Sequence, residues 1–336
     1  MTLRVAGCDP GTSSLDIVIL DDGKVADQTR FQPELLRVDP RAPVSWLQQR
    51  RPLEFVAAPS GYGLPCREVQ KCTAMERKLL SLVRQDEAKA SGVSGFSAIC
   101  DAFMQSELPA FFLPGVIHLP TIPTHRKWNR IDLGTADKLA VAALGLELAS
   151  VPSFALLEMG SAFTSCLVLQ DGQIIDGLGG TAGAIGARSA GSWDGELAYI
   201  LSPLHKKDLF QGGLDTHENA EAFLESSVRI VAGMKAVHSF DRCVLSGALL
   251  GSHPDLVHSL KDRLSRVAEV HVLGNLPGAW VKQAAQGAAI LADGLARGRH
   301  RALVEKLRLR EASGTVLDWI THPRARSVLG DWLGTV

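Results

Sequence analysis

The order of segments along the chain predicts an α/β protein of two domains, and three observations carry this. The 336 residues suffice for two hydrophobic cores of ordinary size. Two β-meanders, one starting at Leu3 and one at Phe154, each turn at a glycine loop after the first strand. Strand-patterned and helix-patterned segments then alternate behind each meander. A composition of 46% hydrophobic and 21% charged residues fits a globular chain and not a disordered one.

The first meander opens with the strand Leu3–Ala6, followed by the loop Gly7-Cys8-Asp9-Pro10-Gly11-Thr12-Ser13-Ser14. Leu15–Leu20 is apolar and β-branched, Asp21-Asp22-Gly23-Lys24 is a tight turn, and a third strand follows near Lys24–Phe31. Ser45–Arg50 reads as a short helix and Leu53–Ala58 as a buried strand; Thr73–Gln85 and Val93–Glu107 carry helical spacing. A strand is expected near Val116–Leu119, then a Pro-rich loop, then a helix from Thr135 to Ala149. The second meander consists of Phe154–Met159, Thr164–Leu169 and Gln173–Asp176, with turns at Gly160-Ser161 and Asp171-Gly172. Behind it come a Gly-rich loop (Gly177–Gly191), helices at Thr216–Val237, Pro254–Ala268 and Lys282–Arg297, and strands at Cys243–Leu245 and Val270–Leu273. The tail from Ala302 reads as two more helices. The restart suggests an internal duplication seen in element order and not in residue identity. It places the boundary near residue 150, giving domains of 1–150 and 151–336, each with a mixed five-stranded sheet.

The totals limit the partners. With 35 basic against 36 acidic residues, the formal charge is −1, which argues against a nucleic-acid binder. The apolar run Leu139–Leu146 is flanked by Lys138 and Glu147 and is too short to span a bilayer. No basic leader precedes Leu3, so a cytoplasmic location is expected, with no membrane partner. The six cysteines are scattered without a C-x-x-C pair, which suits reduced thiols and argues against a zinc or iron–sulfur site.

Several segments carry candidate chemistry. In the loop after the first strand, the amides and hydroxyls of Gly11, Thr12 and Ser13 can bind phosphate oxygens, and Asp9 can hold waters around Mg²⁺; the same residue types also make an ordinary hairpin. Glu158, Gly160 and Ser161 occupy the matching place in the second half. Arg188, among small residues, offers a planar fork to a transferring phosphoryl group, or is an exposed loop arginine. Asp137 at a helix mouth is a candidate base or metal-shell ligand, or a first-turn carboxylate favoured by the helix dipole. Ser246-Gly247-Ala248 can let an adenosine lie against the backbone. Tyr62, in the rigid Ser60–Pro65 loop at a strand end, and Arg67 just beyond are candidate substrate contacts. Neither the Walker pattern nor a Rossmann fingerprint stands at the first loop.

In this order the pieces resemble the acetate kinase, sugar kinase, heat-shock chaperone and actin superfamily. That superfamily consists of ATP-using proteins built from two ribonuclease-H-like domains around a nucleotide cleft. Val5–Thr12, Pro59–Pro65 and Glu158–Thr164 are similar, more closely, to an uncharacterised group labelled predicted butyrate kinase, the DUF1464 group. Gly186-Ala187-Arg188-Ser189 is similar to the acetate kinase stretch bearing a phosphoryl-stabilising arginine, and Gly134–Lys138 resembles the Gly-x-Asp-Arg motif of type III pantothenate kinases, whose aspartate acts near a hydroxyl acceptor.

The departures are Asp9 where acetate and butyrate kinases carry Asn or a related residue, Glu158 and Ser161 where many members carry Asp and Gly, and Ala248 in place of a second glycine. The resemblance implies Mg²⁺ organised by Asp9 and Glu158, and ATP phosphates cradled by the loops at Gly11–Ser13 and Gly160–Ser161. It further implies adenosine on Ser246–Ala248 and phosphoryl transfer, aided by Arg188, to a small molecule such as a short carboxylate. A hydroxyl kinase using Asp137 as base and a non-catalytic nucleotide-switched binding protein are the competing readings. The scattered cysteines count against an iron–sulfur activase, and a homodimer is left open.

Overall fold

The computed structural model describes residues 2–11, 13–84, 87, 94–149, 151–217 and 219–333. The residues of the first two strands of the first meander are buried on both faces, so these strands lie inside a sheet, while the third, more polar strand forms its edge. Strands β1 (Arg4–Pro10), β2 (Leu15–Asp21) and β3 (Lys24–Phe31) are antiparallel, β4 (Phe55–Ala58) and β6 (Ala110–Phe112) add in parallel, and the short β5 (Arg67–Glu68) closes the edge. The order is β3-β2-β1-β4-β6-β5. In the second sheet β7 (Phe154–Met159), β8 (Thr164–Gln170) and β9 (Gln173–Leu178) form the meander, and β10 (Arg242–Ser246) and β11 (Glu269–Val272) add in parallel. Its order, β9-β8-β7-β10-β11, repeats that of the first five strands.

Details of backbone conformation repeat as well. Each meander turns through an Asp-Gly pair with both residues left-handed: Asp22 and Gly23 at φ 50° and 77°, Asp171 and Gly172 at φ 52° and 76°. Such a pair makes the type I′ turn that matches strand twist. A register shift precedes each turn at the same offset, between Ile19 and Leu20 and between Val168 and Leu169.

Two helices, Ala136–Leu148 and Gln283–Leu295, pack on one another behind the strand ends. Their facing positions are small because the backbones nearly touch: a Cβ at Gly287 would stand 1.8 Å from the carbonyl oxygen of Ala140. The second helix also lies on β1, where a Cβ at Gly7 would meet Ala289 N at 2.1 Å. Accordingly one core joins the first sheet to both helices and reaches Val316, while a second core holds much of β7, β8 and β10 with helices Ala220–Val237 and Pro254–Leu264.

Two expectations are corrected. Val116–His118 is a single 3₁₀ turn and not a strand, because Pro114-Gly115 and Pro120 bracket it and the Gly115 N–H donates to His118 Nδ1 at 3.1 Å. The strand lies just upstream at Ala110–Phe112. The first sheet also has six strands and not five, since β5 pairs with β6. The helix Pro33–Val38, started by Pro33, was not anticipated.

Candidate active site

The penultimate residue of each of β1 and β7 is a buried carboxylate, Asp9 (4% exposed) and Glu158 (6% exposed). The two occupy equivalent places, for Asp9 lies opposite Asp16 of β2 and Glu158 opposite Ser165 of β8. A cleft of about 1140 Å³ runs between the two loops that follow these strands. Neither Gly11 nor Gly160 has room for a side chain without crowding: a Cβ at Gly11 would stand 2.3 Å from Lys282 Nζ and 3.4 Å from Asp9 Oδ2, and one at Gly160 3.3 Å from the Phe163 carbonyl oxygen and 3.5 Å from both Glu158 oxygens. Ser161 lines the cleft with them, Ser13 is exposed outside its lining, and Thr12 lies outside the described residues.

Lys138 was assigned no role in the sequence, yet it forms the centre of this cluster. Its Nζ is 2.8 Å from Asp137 Oδ2 and 2.6 Å from Glu158 Oε2, so one ammonium ties the helix Ala136–Leu148 to the second sheet. Lys282 sits on the other side, donating from Nζ to the Ser14 carbonyl at 3.0 Å and standing 3.9 Å from Asp9 Oδ2. Its backbone N–H donates to Asp16 Oδ2 at 2.9 Å, and Asp16 also accepts from Arg30 and Ser14 Oγ.

The electrostatics follow from this crowding. Burial and the Asp137 and Asp16 charges push the Asp9 carboxyl up to about 7, against the pull of Lys282 and Lys138. Burial lifts Glu158 above its ordinary value even with Lys138 beside it. Burial acts on Asp137 in the same sense, but Lys138 and the Thr135 hydroxyl outweigh it and hold this carboxyl below its ordinary value. Lys138 is itself held firmly protonated: burial opposes the charge, and Asp137 and Glu158 overcome it. Once Asp9 ionises, three carboxylates (Asp9, Asp137, Glu158) face two ammonium groups (Lys138, Lys282), leaving negative charge unmatched. A divalent cation would answer that deficit only through its waters and a ligand, for no group of three or more ligating side chains stands among the described residues. Mg²⁺ needs few protein oxygens because it keeps several waters and takes phosphate oxygens as ligands.

One consequence concerns the protein without ligands. Between pH ~4 and about 7 the folded chain retains an Asp9 proton that the unfolded chain has lost, so stability falls as pH rises through that window. Asp9→Asn cannot ionise. In EDTA it should be more stable than wild type at pH 7 by on the order of 2 kcal/mol, with a flatter pH profile, as read by urea unfolding at both ends of the window.

Ser246 closes β10 in register with Glu158, and its hydroxyl donates to Gln283 Oε1 at 2.6 Å. Ser246, Gly247 and Ala248 all line the cleft. Gly247 has φ +107°, and a Cβ there would stand 2.1 Å from the Met159 carbonyl oxygen. Gly247→Ala therefore combines strain with a backbone clash and should cost about 3 kcal/mol, seen as a lowered urea midpoint.

Arg188 is pinned by its backbone, with the N–H donating to the Ala162 carbonyl at 3.1 Å. Its guanidinium lies over the Phe210 ring at 5.6 Å, and its buried Nε has no hydrogen-bond partner among the described residues. Tyr62 also lines the cleft, on a loop whose Gly61 carbonyl accepts from Ala136 N at 3.0 Å, next to Asp137 and Lys138. Arg67 does not join them, because it lies on β5 and pairs with Glu76 at 2.6 Å. Sequence reasoning missed Lys138, Lys282, Gln283, Lys206 and Asp132, all of which line the cleft. Lys138 stood inside the quoted Gly134–Lys138 motif and Lys282 at the head of a helix, but Lys206 and Asp132 had no local signal.

Comparison with known proteins places this architecture. Acetate kinase from Entamoeba histolytica superposes with a TM-score of 0.53, at 12% identity, over 79% of this chain and 87% of that one. A ROK family glucokinase from Streptomyces griseus, solved with glucose and AMPPNP, matches 86% of this chain and 99% of its own at 12% identity and a TM-score of 0.48. With the duplicated sheet order, the first likeness defines the class: two ribonuclease-H-like domains of the actin-like ATPase fold around a shared cleft. The chain belongs to the family described as protein of unknown function (DUF1464), which matches residues 7–322. No curated protein matches it in sequence. No helix among the described residues is long and apolar enough to cross a membrane.

Proposed function

We propose that the protein is a kinase that transfers the terminal phosphoryl group of ATP to a carboxylate of a small molecule. A carboxylate oxygen attacks the γ-phosphorus, the bond to the β–γ bridging oxygen breaks, and an acyl phosphate and ADP result. The observation that carries the reading is the state of Asp137. A hydroxyl acceptor benefits from a base whose pKa lies near the working pH, whereas a carboxylate is already a nucleophile. Asp137 is held below its ordinary value by Lys138, which makes it a weak base and suits an acceptor that needs none.

The residues divide the task by their chemistry. The Gly11 loop would offer amides to phosphate oxygens, facing the Gly160 turn whose own Gly160 N–H is taken by the Phe163 carbonyl at 2.9 Å, and the Ser246–Ala248 wall is a surface for a nucleoside. Asp9 and Glu158 would hold the waters of Mg²⁺, which when bound neutralises charge on the nucleotide phosphates. Arg188 would present to the group in transit a buried donor that has no partner among the described residues.

The test is Mg·ATP-dependent transfer across a panel of carboxylates and small alcohols, with hydroxylamine trapping any acyl phosphate as a hydroxamate. Asp137→Ala should leave turnover within about tenfold if no base is needed, whereas loss of general-base catalysis typically costs about 10²–10⁴. Abolished turnover with intact ATP binding would hand the role to a hydroxyl acceptor. ATP binding without transfer to any acceptor would favour a nucleotide-switched binding protein.

A further inference from the structure

Besides Lys138, Lys282 and Arg188, the cleft contains a cationic group that neither the phosphate loops nor the carboxylate pair employs, Lys206. Lys206 opens a 3₁₀ turn, Lys206–Phe210, that the second half of the chain lays against the first. Its backbone N–H donates to Glu87 Oε2 at 2.7 Å, and its Nζ donates to the Tyr62 hydroxyl at 3.1 Å and stands 4.8 Å from that ring's centroid. The far end of the turn, Phe210, meets Phe163 edge-on at 4.8 Å and carries the Arg188 guanidinium on its face. One turn therefore holds Lys206 on Tyr62 and supports Arg188.

Among the described residues the Lys206 ammonium forms no ion pair within 4.0 Å. Burial draws it down to about 8, while Asp132 and Glu87 pull it back up. A half-buried cation without a counter-ion is unfavourable unless something else satisfies it.

The wall around Tyr62 is of the opposite character. Leu80, Phe96, Ile99, Leu113 and Val141 line the cleft. They come from three helices and the residue after β6; Phe96 is partly exposed and the other four are only 1–4% exposed, so the apolar lining is tightly packed. It adjoins the Tyr62 loop directly: Tyr62 N donates to the Leu80 carbonyl at 3.0 Å, and a Cβ on Gly61 would stand 3.0 Å from the Phe96 ring. These side chains offer no hydrogen bonds, so a polyhydroxylated acceptor would leave its own groups unpaired against them. An apolar body would gain from the same surface.

We propose that Lys206 is the anion-binding residue of the acceptor site and that the acceptor is a carboxylic acid with an aliphatic or aromatic body larger than that of acetate or butyrate, held by the wall beside Tyr62. This rests on the phosphoryl-transfer reading for the word acceptor, but the binding it describes requires no ATP.

Calorimetry on the full chain without nucleotide tests it, using hexanoate, benzoate, acetate, glucose and the uncharged hexanamide. Hexanoate or benzoate should bind at least about tenfold more tightly than acetate, glucose or hexanamide, a step of about 1.4 kcal/mol. Lys206→Met should lose at least that factor for the acids while binding hexanamide as wild type does, and Lys206→Arg should recover most of it. Unchanged hexanamide binding and thermal midpoint show that Lys206→Met is folded; if it is not, Lys206→Gln carries the same comparison. Equal affinity for hexanoate and hexanamide, equal affinity for acetate, or undiminished acid binding by Lys206→Met would each overturn the assignment. Lys206-dependent acid binding with no hydroxamate formed would sustain it while sinking the kinase reading. Hydroxamate formed from acetate alone, at the wild-type rate in Lys206→Met, would do the reverse.

Discussion

Arg188→Ala should lower the rate of hydroxamate formation by about a thousandfold, the scale on which phosphoryl-transfer enzymes depend on a single arginine, while leaving Mg·ATP affinity within a few fold. The expectation rests on how the chain holds this side chain. Gly186, Ala187 and Ser189 keep the segment compact: a Cβ at Gly186 would stand 2.3 Å from the Ala162 carbonyl oxygen, and that oxygen accepts from the N–H groups of both Arg188 and Ser189. Phe210 supports one face of the guanidinium, and the buried Arg188 Nε has no partner among the described residues. A buried donor left unmatched is costly in the resting protein. The cost is recovered if a phosphoryl oxygen arrives, so the stabilisation is concentrated where the charge develops. Arg188→Lys should rescue little, because an ammonium cannot reproduce the two-pronged donor geometry. A variant retaining activity within tenfold would remove Arg188 from the chemistry.

The parts of this site written in contiguous sequence were legible, and those assembled by folding were not. Asp9 and Glu158 could be paired because each stands next to last in the first strand of a meander, and the two meanders share their Asp-Gly turns. Ser246-Gly247 announced itself as a strand end followed by a residue free to take φ +107°. Arg67 looked equally plausible near Tyr62, yet β5 carries it to a sheet edge where Glu76 takes its charge. Lys206 lies 144 residues from Tyr62 and in no recognisable pattern, so only the tertiary fold brings them together. The strand misplaced at Val116 has a similar cause. Apolar runs on either side of Pro114 looked alike, and the parallel ladder with β4 chose the upstream one.

Lys138 gives the largest expected effect on stability. Its ammonium is the common partner of Asp137 and Glu158, two carboxylates from different halves of the chain. Lys138→Met conserves the stem but leaves two buried acids uncompensated, and breaking a buried pair in this way typically costs about 3–5 kcal/mol. The pH dependence separates this cause from a packing defect. In the wild type Asp137 is held below its ordinary value, so it contributes stability above that value and loses it as acid protonates the folded form. In Lys138→Met the larger lowering influence is gone, the Thr135 hydroxyl on Asp137 and the Lys282 charge near Glu158 remain, and burial pushes both acids up. The folded variant then prefers them protonated, so its stability should recover as pH falls. The gap to wild type in urea unfolding should therefore be widest near neutrality and narrow toward about pH 4. A gap independent of pH would mean that the methylene stem, and not the charge, supports the fold. The same experiment bears on function. If Mg·ATP restores a larger share of the lost stability in the variant than it adds to the wild type, the cation and the ammonium compensate the same carboxylates. Lys138 would then hold the two halves together until nucleotide and metal take over that role.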